Sequence, residues 1–179
     1  MIRTFPGTTV EVLRLEKGSS KTLFDGIFAA GGITLSQVSV MTGLEPYLIQ
    51  NWVKRGFVSS PVKRLYSREQ FARILIINML REVLQIERIC GLIRVLGTED
   101  DLIGDDELYH RYVDMIAEEG MDTIDRETVC RSATHATEDF EERFPDGKKQ
   151  LERILQVMLY AHAAAQLRGA AEEILSTIE

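Results

Sequence analysis

The chain has 179 residues, which at about 150 per domain leaves room for one domain and a small appended unit. Apolar residues make up 45% and charged residues 27%, and that balance excludes a disordered tail, a collagen and a disulfide scaffold. The net charge of −7 argues against a nucleic-acid partner, but it averages unlike parts. Residues 1–32 carry four basic and three acidic side chains, residues 33–96 nine and four, and residues 97–179 eight and twenty-one. A basic segment is joined to a strongly acidic one, a pattern that permits nucleic-acid contact by one part alone.

Residues 1–32 read as an N-terminal arm and a short helix. Val10, Val12, Leu13 and Leu15 suit a short strand, and Lys17–Ser20 a loop. Leu23, Phe24, Ile27 and Phe28 then line one face of a helix over 21–30, which Gly31 and Gly32 stop. Thr34 caps a helix from Leu35 to Met41, Gly43 marks a turn, and Pro46 opens a second helix that runs to Arg55 and ends at Gly56. Residues 57–66 read as a loop or short hairpin around Pro61. Ser67 and Gln70 form a capping box that starts a helix carrying Phe71, Ile74, Leu75, Ile77, Asn78 and Met79. A helix over 86–96 completes the basic segment. The break at 97–101, where the charge changes sign, is read as the boundary of an acidic region made of three helices, 105–120, 124–144 and 148–178. The last would exceed 40 Å unless it kinks near Gly169. Part of its apolar stripe then needs a second subunit for cover.

The segment Leu35–Arg55 carries the functional signal. A helix-turn-helix needs a small residue where its helices cross, a glycine at the turn, and apolar residues that pin the second helix. Ser39, Gly43, Val38, Leu44, Ile49 and Trp52 meet those needs. The run Thr42–Pro46, the helix Ile49–Gly56, the wing remnant Arg64–Ser67, and Leu80–Glu82 followed by Ile86–Ile89 together resemble the MerR-like winged helix-turn-helix family over residues 33–96. Within that group, Lys63–Gln70 and Arg81–Ile86 are most similar to the bacterial YkrK-type domain of unknown function. The wing is a few residues shorter than in typical MerR proteins and lacks their Asn-Gly tip. The long dimerisation helix that directly follows the module in that family is also interrupted here by Gly97.

The resemblance implies a mainly α fold: a MerR-like winged helix-turn-helix module at 33–96, with an acidic α-helical C-terminal region at 97–179 for dimerisation or regulation. It also implies double-stranded DNA as partner, with helix 46–55 in the major groove and a basic wing at 57–66. Tyr47, Gln50, Asn51 and Lys54 face outward from that helix, and Gln and Asn can read adenine edges. Lys54, Arg55, Lys63, Arg64 and Arg68 form a five-cation cluster suited to phosphates, and Ser36 and Gln37 could hold a phosphate on helix N–H groups. Trp52 and Tyr66 are expected in the core, and Asn78 in a structural role.

Other chemistries find no purchase. Glycine-rich phosphate loops, nucleophile elbows and zinc-protease motifs are absent, so no enzyme and no cofactor are expected. His135 and Glu138 read as a surface pair, His110 and His162 as solitary, and Cys90 and Cys130 as isolated thiols suited to a reducing cytoplasm. No run is long enough to span a bilayer, and no small-molecule effector is indicated. The expectation is a homodimeric transcriptional regulator, with recognition helices about 34 Å apart or a multiple of that. The competing reading keeps the helix-turn-helix fold without DNA and uses the acidic helices for a protein partner.

Overall fold

The computed structural model describes residues 3–96, 103–119 and 124–178. The fold is organised around helix α4 (Arg68–Leu80), which Ser67 caps: its side chain accepts from the Gln70 N–H while Gln70 reaches back to the Ser67 N–H at 2.8 Å. The sequence of α4 is apolar on all sides, which suits only a helix covered all round. Phe71, Ala72, Ile74, Leu75, Ile76, Ile77, Met79 and Leu80 are all buried. Helices α2 (Leu35–Thr42), α5 (Ile86–Arg94), α6 (Asp105–Glu119) and α8 (Gly147–Ser176) supply that cover. The core therefore runs continuously from the basic segment into the acidic one. A fragment of residues 33–96 would bare the face of α4 that α6 and α8 enclose.

The N-terminal residues dock on the same helix. Strands β1 (Arg3–Thr4) and β2 (Glu11–Val12) pair antiparallel, Arg3 opposite Val12. The expected longer strand is cut short because Leu13 turns out to solvent while Leu15 is buried. At the hairpin tip Gly7 has φ +74°, and a Cβ there would sit 2.4 Å from the Leu75 carbonyl oxygen. Asn78 Nδ2 donates to the Gly7 and Thr42 carbonyls at 3.0 and 3.2 Å, the structural role expected for it. The Tyr109 hydroxyl donates to the Pro6 carbonyl at 2.8 Å. Helix α1 (Ser19–Ile27) buries Phe24 against Phe71 and Tyr109.

Helix α7 (Arg126–His135) starts on Asp125, whose carboxylate accepts from the Glu127 and Thr128 N–H groups. It ends nine residues before the expected stop at Phe144. Arg111 accounts for the difference: its guanidinium donates at 3.1 Å to the Ala136 carbonyl, the acceptor a further helical turn would have used, and at 2.8 Å to the Asp139 carboxylate. The Thr137 hydroxyl turns back on the Ala133 and Thr134 carbonyls, and Phe140 folds in beneath Arg111 and Arg143. Helix α8 runs unbroken through Gly169. The boundary placed at 97–101 and the helix stop at Gly120 lie outside the described residues. No helix among the described residues is long and apolar enough to cross a membrane.

Two histidines read as solitary have partners. His110 Nδ1 lies 2.8 Å from the buried Ser20 hydroxyl, and His162 Nδ1 lies 2.6 Å from the Tyr112 hydroxyl. Burial pushes His162 down to about 4 from its usual 6.5. A histidine depressed in the folded state stays neutral there while the unfolded chain takes up a proton. Its contribution is therefore complete above pH 6.5 and lost as pH falls toward 4. The shift corresponds to a loss of at most about 3 kcal/mol. Urea midpoints at pH 7 and pH 4.5 check this: His162→Gln should flatten the acid-side fall relative to the parent chain. An equally steep fall in the variant would place the sensitivity elsewhere.

Candidate nucleic-acid interface

The site is built on α2, the Gly43 turn and α3 (Pro46–Lys54). Thr34 and Gln37 form a reciprocal capping box at the start of α2, and Gly43 closes it at φ +70°, in the left-handed region that glycine enters cheaply. The small residue at the helix crossing, Ser39, donates its hydroxyl to the Leu44 carbonyl at 2.6 Å. Thr42 bonds back to Val38 at 2.7 Å and accepts from the Leu44 N–H at 3.2 Å. Thr9 braces the turn from outside, donating its N–H to the Met41 carbonyl at 2.8 Å and its hydroxyl to the Val40 carbonyl at 2.9 Å. Pro46 takes the first position of α3, where its missing N–H costs nothing. Val38, Leu44, Ile49 and Trp52 are all buried, so the apolar offsets read from the sequence pin α3 as expected.

Beyond α3, the Phe57 and Val58 N–H groups both return to the Trp52 carbonyl, at 2.9 and 3.4 Å. Gln70 holds the next stretch, donating from Nε2 to the Ser59 and Ser60 carbonyls at 3.0 and 2.9 Å. Val62 and Leu65 then exchange N–H···O bonds of 3.1 and 2.9 Å around Lys63 and Arg64. Both of those residues have positive φ, 49° and 65°. Two consecutive left-handed residues closing such a pair make a type I′ hairpin tip, usually given to Asn-Gly. Lysine and arginine occupy it here at a conformational cost, and both are exposed. The hairpin's outgoing strand β4 (Leu65–Tyr66) pairs antiparallel with β3 (Ile33–Thr34), tying the tip to the start of α2. Tyr66 is buried, as expected.

The expected site residues divide into three groups. Tyr47, Gln50, Asn51 and Lys54 lie exposed on the outer face of α3, and Lys63 and Arg64 at the hairpin tip. Among the described residues Lys54, Lys63 and Arg64 make no ion pair. Arg55 and Arg68 differ: Arg55 pairs with Glu87 at 2.6 Å and covers the Phe57 ring, while Arg68 pairs with Asp25 beside Phe28. Each of these two has a carboxylate partner within the chain, so three unpaired cations remain of the five. At the start of α2 the Gln37 N–H is taken by Thr34 Oγ1, so of the two residues expected to hold a phosphate there, Ser36 alone keeps its N–H for one. Sequence reasoning overlooked Thr9, which stabilises the turn, and the second duty of Gln70. Nothing in the local pattern around Thr9 signals a contact more than 30 residues away.

The remaining polar clusters look structural. His135 lies 3.3 Å from both Glu118 and Glu138 on an exposed surface, and among the described residues no group of three or more His, Cys, Asp or Glu side chains is placed to hold a metal ion. Asp105, at the start of α6, is buried against Arg73 at 2.7 Å, and burial raises its carboxyl above the usual range.

Residues 33–112 match the family model of a domain of unknown function, DUF1836. The match begins at β3 and ends inside α6, so it takes in the whole candidate interface together with the first half of the helix that covers α4. No curated protein and no solved structure matches the chain.

Proposed function

We propose that residues 33–96 form a MerR-like winged helix-turn-helix module that binds double-stranded DNA, and that the chain acts as a homodimeric transcriptional regulator. The observation that carries this reading is the hairpin tip. Two exposed cations sit in a strained backbone conformation closed by the Val62–Leu65 pair, next to a recognition helix whose outer face carries Gln50, Asn51 and Lys54. Strain of this kind gathers where a side chain must be presented rather than buried. In this reading α3 enters the major groove, where Gln50 and Asn51 reach base edges and Lys54 a phosphate. Lys63 and Arg64 then contact the backbone from the wing. Some of the acids of α6 are answered by Arg73, Arg111 and Arg143, which lowers the repulsion a DNA partner would meet.

The test is titration of a labelled random-sequence duplex with the full chain at low and moderate salt. The double charge reversal Lys54→Glu and Arg64→Glu should weaken binding roughly 100-fold or more at 0.1 M salt. A second reading rests on Val40 and Val62, each 73% exposed, and on Tyr47, which together give the same surface an apolar character suited to a protein partner. No binding to duplex at low salt would favour that reading over the first.

A further inference from the structure

Helix α8 has two apolar faces, and only one of them is used. Leu151, Ile154, Leu155, Met158 and Leu159 pack into the core. On another face, Val157, Tyr160, Ala164, Leu167, Ala171, Ile174 and Ile178 recur at alternating steps of three and four, the a/d spacing of a coiled coil. All seven are exposed, Leu167 at 71% and Ile178 at 76%. Every residue from Gln166 to Ile178 is exposed. A helical end of that length, exposed throughout and tied to another element among the described residues by the Arg168–Glu82 pair, is marginal without a partner.

We propose that this stripe is a self-association seam, and that it pairs antiparallel with the same segment of a second copy about a two-fold axis beside Gly169. The sequence is self-complementary in that register. Leu167 falls opposite the other copy's alanine at position 171, Ala164 opposite its isoleucine at 174, and Tyr160 opposite its isoleucine at 178. Each layer that pairs Leu167 or Ile174 thus sets a large side chain against a small one, which lets the helices approach closely. Charge selects the same orientation. In a parallel pair Glu172 and Glu173 would stand beside their own copies. In the antiparallel pair they meet Gln166 and Ala165, and Arg168 meets Ala170. A two-fold interface of this kind is closed, so it stops at the dimer.

This inference rests on the homodimer proposed above but not on DNA, and it is tested without DNA. Light scattering of the full chain at micromolar concentration should give twice the chain mass of 20.3 kDa. Leu167→Glu and Ile174→Glu, both at exposed positions, should each give a monomer with near-parent helical content. Spin labels on the full chain in a Cys130→Ser background report the orientation. The antiparallel register places labels at Gln166→Cys close together and those at Arg153→Cys roughly 50 Å apart, from about 1.5 Å rise per residue. A monomeric parent chain would overturn the proposal and leave the stripe to another partner. A dimer that survives both glutamate substitutions would overturn the assignment to α8, and equal label separations at the two positions would overturn the antiparallel register.

Discussion

Replacing Gly7 with alanine should destabilise the chain by about 3 kcal/mol or more. Two costs add at this position. The left-handed backbone, φ +74°, penalises any Cβ by about 1–2 kcal/mol. The new methyl would also stand 2.4 Å from the Leu75 carbonyl oxygen, which is part of the most buried helix of the fold and has little freedom to move. The hairpin must lift instead. Lifting strains or breaks the Asn78–Gly7 and Tyr109–Pro6 hydrogen bonds, and it uncovers Phe5. Gly31 provides the control. Its φ is +103°, but the space around it is open, so Gly31→Ala should cost only the backbone term. Urea denaturation of the two variants separates the contributions. A Gly7→Ala chain no less stable than Gly31→Ala would show that the N-terminal hairpin is not part of the cooperative core.

Converting the wing tip to Asn-Gly, by Lys63→Asn with Arg64→Gly, should move stability and DNA affinity in opposite directions. Asparagine and glycine suit the left-handed conformation that lysine and arginine are forced to adopt. Relief of that strain should raise stability by about 1–2 kcal/mol. The same change removes two of the three cations left unpaired by Glu87 and Asp25. Each lost phosphate contact should weaken binding roughly tenfold at 0.1 M salt, so the variant, which loses two in each copy, should bind at least about 100-fold less tightly while melting at higher temperature. A stabilised variant with unchanged affinity would mean that the tip does not touch DNA. A destabilised variant would mean that the tip conformation is set by contacts other than its own turn.

Much of the architecture was legible because its punctuation is local. Thr34, Gly43, Pro46, Gly56 and Ser67 each act within a few residues; α2 and α3 begin and end, and α4 begins, within a residue or two of where they indicate. The outer face of α3 was legible for the same reason, since helical periodicity alone separates Ile49 and Trp52 from Gln50 and Asn51. Features set by distant partners were not. Arg111 ends α7 from 25 residues away, Glu87 answers Arg55 from 32 and Asp25 answers Arg68 from 43. Gly7 looks like an ordinary arm glycine until Leu75 is seen beside it. The wing tip is a further case, because Lys-Arg carries none of the usual signals for consecutive left-handed residues. There, local preference is overridden by the pairing of Val62 with Leu65, and of β3 with β4.

The division of charge also acquires a physical form. The basic segment presents its unpaired cations at one end of the α2–α3 unit and the hairpin tip. The acids of α6 are drawn into pairs with Arg73, Arg111 and Arg143. One part of the molecule thus presents unpaired cations, while some of the acidic charge of α6 is answered by arginines.

The salt dependence of affinity for a random-sequence duplex, measured on the full chain and on the Asn-Gly wing variant, tests the DNA-binding account most directly. The account predicts a linear fall of log affinity with log salt, with a slope of about −5 for the homodimer, from three unpaired cations in each of two copies. The variant lacks two cations in each copy, so its slope should be shallower by about 4. No detectable binding at low salt, or an identical slope in the two proteins, would contradict it.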